Sequence, residues 1–431
     1  MTAAIAFFSP SHFTFEPNFV IHQLQPRLKL ADYFAIAFIV FLLIPQSTVF
    51  GRAELSVGCF GLWLVFSWGT HHLDTFRKCS PMLLALALQV TVYLAKSLAS
   101  DSFEYLWPAR TGFVTITLSL YICAHYCLHN PQKLIPIRAW SLIGVAVCIS
   151  QSIAIAWQQP GVVRLLVSQE PELVSQLRWQ GVPGYALIYT TSMCLFVFID
   201  LLGGVTGVKR ILLSLAIGVF IIHVALSMLA LPTTLLASVA IAWLIHAFIN
   251  KTKETVRAIF ILAIILVFMN AWTGGTIFEK ITKSEQIEKT ISKVERLALG
   301  VSERGLVEGD ETTRGRRLQD TFETFLNNPI FGRSFSSRAK GKIGGHSSLI
   351  DPLALFGIIG FIPMWIFYFL LIRNSLKFYS PFNCRNQWRS PEVFAWCFFG
   401  IASFWNSTTF TVLPFALLFL TVVNCPEECE P

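Results

Sequence analysis

Residues 347–372 read SSLIDPLALFGIIGFIPMWIFYFLLI, and Asp351 is the single charged residue among them. A helix that crosses a bilayer needs roughly 20 mainly apolar residues. It is also one of the few structures that pairs all of its own backbone polar groups in lipid. The stretch is therefore predicted to be a membrane-spanning helix.

Stretches of this kind recur along nearly the whole chain of 431 residues, which is 54% hydrophobic and only 13% charged. Soluble domains carry about 25% charged residues. We therefore predict an all-α fold, a polytopic bundle of about 12 transmembrane helices that forms a single membrane domain over residues 1–431. The predicted spans are 30–46, 52–69, 80–98, 111–128, 138–157, 184–202, 210–228, 231–249, 256–273, 347–372, 391–408 and 410–424.

The formal net charge of +8 is distributed as membrane topology requires, and not as a nucleic-acid surface would require. Basic residues concentrate in the loops on the cytoplasmic side of a membrane protein. With the N-terminus in the cytoplasm, 15 lysines and arginines fall in cytoplasmic loops and five in short outer loops. Both termini are therefore predicted to be cytoplasmic, with no nucleic acid as a partner.

Two outer loops are long, 158–183 and 274–346. Connections of more than about 12–15 residues are usually functional or disordered. The second loop is predicted to be partly helical, with a helix from Thr312 to Asn327 in which Leu318, Phe322 and Phe325 form one apolar stripe. An earlier helix, 283–299, is predicted from its amphipathic pattern.

Candidate reactive groups lie at the end of this loop and at the start of the tenth span. Ser347 or Ser348 is suited to cap the tenth helix. The N-terminus of this helix carries a partial positive charge, which would favour an anion beside His346. Guanidinium groups bind phosphate oxygens in pairs and stay charged, while histidine accepts protons near neutral pH. The arginines of the same loop are Arg314, Arg316 and Arg317. This set suits a reaction on a pyrophosphate-linked substrate.

Three short segments here resemble motifs of the O-antigen ligase and O-antigen polymerase family. His346-Ser347, nine residues and then Gly357-Ile-Ile-Gly360 is similar to the ligase signature. Arg314-Gly-Arg-Arg-Leu318 is similar to the Arg-x-x-x-Leu motif of the same loop, and the segment 328–332, Asn-Pro-Ile-Phe-Gly, resembles the stretch between them. The resemblance covers roughly 50 residues and extends to the twelve-helix topology.

The resemblance implies an inverting, membrane-embedded glycosyltransferase in the bacterial inner membrane, with the long loop in the periplasm. The donor would be a glycan on undecaprenyl pyrophosphate and the acceptor lipid A–core, with membrane lipids around the protein. His346 and Arg314 would be catalytic, and Arg316 and Arg317 would bind substrate. No cofactor and no metal ion are expected.

One departure from the family pattern concerns the outer end between the seventh and eighth spans, where an arginine is expected. Residues 229–234 read LALPTT. Arg110, Arg164 or Arg178, from other outer loops, would supply the replacement charge. The departure keeps two alternatives open, an O-antigen polymerase and a protein O-oligosaccharyltransferase.

Simpler interpretations compete with these roles. His346 would then be an interfacial residue, and the loop arginines would be solvated or would meet lipid phosphates. Gly357 and Gly360 are expected to permit close packing more than to touch substrate. A transporter without chemistry is a further alternative, for which His125, His223 and His246 are the polar candidates within the spans.

Overall fold

The computed structural model consists of helices, and it contains no strand among the residues that it describes. The structure describes residues 27–43, 52–69, 71–99, 106–158, 162, 172–173, 176–177, 180, 182, 185–202, 205–228, 242, 313–333, 347–378, 391–405, 409 and 412–420. The helices are α1 (Leu30–Leu43), α2 (Arg52–Phe66), α3 (His72–Ala99), α4 (Leu106–His129), α5 (Pro131–Gln158), α6 (Tyr185–Leu201), α7 (Gly207–Met228), α8 (Thr313–Asn327), α9 (Ile350–Phe378), α10 (Pro391–Trp405) and α11 (Leu413–Phe419).

Four segments within these helices are long and apolar enough to cross a membrane. They are His72–Ala99, Gly112–His129, Pro131–Ser150 and Ile350–Ser375. Shorter apolar helices cover Leu30–Leu43, Glu54–Phe66 and Val393–Phe404. The all-helical fold and the presence of helices long and apolar enough to span a membrane are thus as predicted.

Most predicted spans overlap described helices, and α3, α4, α5 and α7 begin before the predicted spans do. Span 80–98 lies within α3, span 138–157 lies within α5, and spans 231–249 and 256–273 lie outside the described residues apart from residue 242. Because α5 already begins at Pro131, Lys133 and Arg138 are helical residues and do not belong to a loop. Lys133 falls between the predicted spans 111–128 and 138–157, and this placement of its charge in a loop was wrong.

Most of the described helices pack around one large apolar core, and a smaller apolar cluster joins α8 to α9. The pairs in contact include α1 with α2 and α5, α3 with α4 and α9, α5 with α7, and α6 with α10. Phe38, Phe198, Phe356 and Phe398 are among the largest fully buried side chains. This packing fixes α3 against α9, and that pair organises the candidate site.

Arg138 closes the end of the short helix α11. Its Nε donates to the carbonyl of Leu418 at 2.9 Å, and one terminal nitrogen donates to the carbonyl of Leu420 at 3.1 Å. The last carbonyls of a helix have no partners of their own and attract cations. A residue that sequence reasoning counted only as a topological charge therefore caps a helix inside the bundle.

Candidate functional site

Helix α9 is interrupted at Gly357, and the turn that follows α8 is docked against the interruption. Gly357 has φ +69° and ψ −178°, so the segment 350–356 and the segment from Ile358 onward are separate helical pieces. Residues 328–333 of the turn contact residues 354–360 of α9. We call these two segments together the α8–α9 junction.

Main-chain hydrogen bonds connect the two sides of the junction. The N–H groups of Ile358 and Ile359 donate to the carbonyls of Pro329 and Ile330, at 2.8 and 3.2 Å. In return, the N–H of Arg333 donates to the carbonyl of Ala354 at 2.9 Å. Non-helical backbone at membrane depth is tolerated where protein pairs its polar groups. The turn meets this requirement for the interrupted helix.

Glycine is required at two positions of the junction. A Cβ on Gly357 would collide with the carbonyl of Ile330, and a Cβ on Gly332 would collide with the backbone of Leu355 and Gly357. Both residues have positive φ, a region that favours glycine. Gly360 serves packing, because its Cβ would lie 2.7 Å from that of Phe356 and 3.4 Å from Val92. The close-packing role expected for Gly357 and Gly360 is consistent with this geometry.

The start of α9 is capped by Ser347. Its Oγ accepts hydrogen bonds from the N–H of Leu349 at 3.3 Å and of Ile350 at 3.0 Å. The N–H of Ser347 in turn donates to Oδ2 of Asp351 at 2.9 Å. This reciprocal arrangement follows the logic of a capping box. The capping role predicted for Ser347 or Ser348 is therefore confirmed, and it belongs to Ser347.

Ser348 connects the start of α9 to the region after α10. Its N–H donates to the carbonyl of Ser403 at 2.8 Å, and its Oγ accepts from the N–H of Thr409 at 2.9 Å. The Tyr368 hydroxyl lies 2.6 Å from Oγ1 of the same threonine. Residues 347–351 are thus fixed in place on several sides by buried hydrogen bonds.

Helix α3 supports the junction from the other side. Nζ of Lys96 donates to the carbonyl of Phe331 at 2.7 Å, and the rings of Tyr93 and Phe356 lie 4.3 Å apart. Phe356 is fully buried. Lys96, near the end of the predicted span 80–98, belongs to α3 and contacts the turn directly.

Some of the arginines predicted for the site lie in described helices, and others do not. Arg314, Arg316 and Arg317 lie in the first turns of α8, which confirms the predicted helix to within one residue. Arg110 lies near the start of α4 and not in a loop. His346, Arg164 and Arg178 fall outside the described residues; His346 directly precedes the capping Ser347.

Helical periodicity separates the three arginine positions of α8. Residues that are three, four or seven positions apart share one side of a helix. Position 314 shares its side with Thr321, which is buried, and position 317 shares its side with Thr321 and Thr324. Position 316 instead shares its side with Glu323, which is exposed. Positions 314 and 317 therefore lie on the packed side of α8, and position 316 lies on the polar side.

A second polar region, which sequence reasoning largely missed, lies at the opposite end of α3. The rings of His72 and His125 stack at 4.8 Å and those of His71 and His129 at 4.7 Å, while the rings of His125 and His129 are tilted with their centroids 5.4 Å apart. We call these four residues the histidine cluster. Only His125 was singled out from the sequence. The i, i+4 spacing of His125 and His129 was an available signal.

Polar side chains hold the histidine cluster in place. Oγ of Ser67 lies 3.0 Å from Nε2 of His72, and Oγ1 of Thr75 lies 3.2 Å from Nδ1 of His125. The Trp63 ring packs edge-on against both imidazoles. Among the residues that the structure describes, no group of three or more histidine, cysteine or acidic side chains is arranged to hold a metal ion.

A buried ion pair adjoins the histidine cluster. Nζ of Lys133 donates to Oδ2 of Asp32 at 2.8 Å, and the Tyr126 hydroxyl donates to Oδ1 of the same carboxylate at 2.8 Å. Nε1 of Trp63 donates to that hydroxyl at 3.2 Å. Asp32 is 2% exposed. A lone acid in an apolar run is a recognised signal of a special role, and the sequence analysis passed over this one.

Comparison with known proteins adds no assignment. No family model matches the chain, and no curated protein matches it.

Proposed function

We propose that the protein is a glycosyltransferase of the bacterial inner membrane that acts at the outer face. It transfers an O-antigen glycan from undecaprenyl pyrophosphate to a hydroxyl of lipid A–core, as an O-antigen ligase does. The proposal includes the predicted twelve-span topology with cytoplasmic termini and a periplasmic loop 274–346.

One observation carries the proposal. Two of the three segments on which the family resemblance rests, 328–332 and 357–360, form the α8–α9 junction through main-chain hydrogen bonds. The third segment, 314–318, belongs to α8, and this helix packs against α9. Segments that are separate in the sequence and in contact in the fold are what a shared site requires.

The arginines are the proposed binding groups for the pyrophosphate of the donor. Since Ser347 Oγ already accepts from the amides of Leu349 and Ile350, these amides are occupied, and the phosphate charge falls to side chains. Arg314 and Arg317 are favoured over Arg316, because their positions lie on the packed side of α8. Their guanidinium groups would neutralise the charge that develops on the leaving group.

His346 is the proposed base. It removes the proton from the acceptor hydroxyl while the hydroxyl oxygen bonds to the anomeric carbon and the bond to the pyrophosphate oxygen breaks. Undecaprenyl pyrophosphate leaves with the electron pair, and the anomeric configuration inverts. Capping by Ser347, with Asp351 bonded to the Ser347 amide, would fix the backbone that positions the adjacent imidazole.

Complementation in two deletion hosts tests the proposal, one lacking its O-antigen ligase and one lacking its polymerase. We expect the wild type to restore long-chain lipopolysaccharide in the first host. Arg314→Ala and His346→Ala should abolish the product, while the matched variant Arg316→Ala keeps most of it. Lipopolysaccharide banding on gels and immunoblots for protein level are the measurements.

Other outcomes would redirect or refute the assignment. A ladder restored only in the polymerase-deficient host would make the acceptor another lipid-linked glycan, and a glycosylated protein would identify an O-oligosaccharyltransferase. If His346→Ala and Arg314→Ala were as active as wild type, neither residue would be catalytic and the ligase mechanism would be refuted.

A transporter is the second candidate, favoured by the interruption in α9. Transporters often bind cargo at discontinuous helices. The amides of Ile358 and Ile359, however, donate to the turn's own carbonyls, so the interruption offers them to no cargo. Movement of a lipid-linked glycan across proteoliposomes without any new glycosidic bond would favour the transporter.

A further inference from the structure

Helix α8 has three distinct sides. Thr321 and Thr324 are buried, and Phe325 packs on Ala354 of α9. Phe322 and Leu326 form an apolar side that is 48% and 59% exposed. The third side is polar and exposed.

The polar side is formed by Glu323 and Asn327, and Gln319 lies at its border with the apolar side. The amide of Gln319 donates to the Glu323 carboxylate at 3.1 Å. A polar face beside an apolar one, with low overall hydrophobicity and arginines in the same helix, is typical of helices that lie in a membrane interface.

The turn after α8 continues the apolar side. Ile330 and Phe331 are 54% and 66% exposed, while their backbones are bonded into the α8–α9 junction. Soluble surfaces seldom present a contiguous apolar patch of this kind. We call Phe322, Leu326, Ile330 and Phe331 the apolar edge of α8.

The junction sets the depth of this edge relative to the membrane. The apolar segment Ile350–Ser375 has 26 residues. At 1.5 Å per residue it is about 39 Å long, against about 30 Å of hydrocarbon. If the segment is centred, about 5 Å extends beyond the hydrocarbon at each end. Gly357 is seven residues, or about 10 Å, from the start, so the turn bonded to it lies about 5 Å inside the hydrocarbon.

The apolar edge is also continuous with a side of α9 that faces away from the bundle. Ile358, Ile359 and Ile362 are exposed at 43%, 50% and 42%. Ile358 and Ile359 are the residues whose amides hold the turn. In a helix of this apolarity, such a side faces lipid. The surface that α9 presents to the bilayer therefore extends onto the turn and α8.

We propose that α8 is an interfacial helix, whose apolar edge inserts into the acyl chains of the leaflet that surrounds the start of α9. The polar side of α8 then faces the aqueous boundary. Insertion and the junction together fix the depth at which the arginine positions of α8 lie. The inference does not depend on glycan transfer and would hold for a protein of another function.

Photocrosslinking in native membranes tests the insertion. The photoreactive residue p-benzoylphenylalanine is placed at Phe322, Leu326 or Phe331, and at Glu323 or Asn327 as matched controls on the same helix. Ile362 serves as the lipid-facing reference. We expect mass spectrometry to find phospholipid adducts at 322, 326 and 331 near the yield at 362, and severalfold fewer at 323 and 327.

Crosslinks from the apolar edge to a second copy of the chain, or to a polyprenyl lipid in place of phospholipid, would overturn the proposal. So would adduct yields at 322, 326 and 331 no higher than those at 323 and 327. Hydroxyl-radical labelling of the unmodified protein in nanodiscs provides a test without substitutions. Phe322 and Phe331 should be as protected as Phe369 of α9, which is 64% exposed in the structure; oxidation at the rate of a solvated phenylalanine would refute insertion.

Discussion

The two ends of α3 contact polar regions that are built in different ways. Near Lys96, the α8–α9 junction is connected mainly by backbone groups, and glycines allow the contact. His72 lies about 36 Å from Lys96 along the helix axis. There, side chains make the contacts within the histidine cluster and within the Asp32–Lys133 pair. The first region should therefore be sensitive to added atoms, and the second to removed charges and hydrogen-bonding groups.

The largest effect is expected for Lys133→Met. The substitution leaves Asp32 buried with a negative charge and without its cation. Removing one partner of a buried pair costs about 3–5 kcal/mol. We expect unfolding in mixed micelles at a markedly lower denaturant concentration than for wild type.

The double variant Asp32→Asn, Lys133→Met is the control for this prediction. It removes both charges and should recover much of the lost stability. Equal losses in the single and double variants would show that the loss does not arise from the unpaired charge of Asp32, and would remove half of the comparison between the two regions.

Gly357→Ala should have the next largest effect. Gly357 has φ +69° and ψ −178°, a backbone region that almost only glycine adopts, so alanine there costs about 1–3 kcal/mol. Its Cβ also collides with the backbone of Ile330 and Gly332. A total loss near 3 kcal/mol is expected. Protein yield in membranes and the unfolding midpoint in mixed micelles measure it.

Gly218→Ala in α7 is the matched control. A Cβ there meets nothing within 4 Å. Because alanine is a better helix former, this variant should be neutral or up to about 1 kcal/mol more stable. If both glycine variants behaved alike, the junction would not depend on the close approach of the two backbones.

A smaller loss is expected for Ser347→Ala. It removes the cap of α9 and leaves the amides of Leu349 and Ile350 without the hydroxyl oxygen, which costs about 1 kcal/mol. Thermal unfolding should shift downward. Ser150→Ala, which removes an exposed hydroxyl bonded within its own helix, should change little and provides the reference.

The smallest effect is expected for Lys96→Met, which removes one partly exposed hydrogen bond to the carbonyl of Phe331. A loss below about 1 kcal/mol is expected. Hydrogen exchange of the 328–333 amides should increase before any change in global unfolding. A loss as large as that of Gly357→Ala would mean that a side chain, and not the backbone, holds the junction.

Sequence reasoning located the elements better than their contacts. Apolar runs identified the helical stretches, because a segment in lipid must pair its own backbone. The serine before a proline-containing first turn identified the cap of α9. The interruption at Gly357 was not foreseen, because its cause is a turn 25 residues earlier in the chain.

Two further differences between the sequence predictions and the structure have physical causes. The predicted stripe of α8 included Phe322, which the structure leaves exposed, because periodicity assigns residues to a side but does not say whether protein or lipid covers it. Lys133 was assigned to a loop because hydropathy counts its charge against a helix. The partner that makes its burial tolerable, Asp32, lies 101 residues away.

The interruption in α9 changes what counts as an independent segment of this chain. Hydropathy treats each span as a unit that enters the bilayer alone, with its own backbone fully paired. The amides of Ile358 and Ile359 are paired instead by residues 329 and 330, which are synthesised earlier. In this conformation α9 is complete only together with the turn, so the smallest self-sufficient unit of assembly extends from the end of α8 to the end of α9.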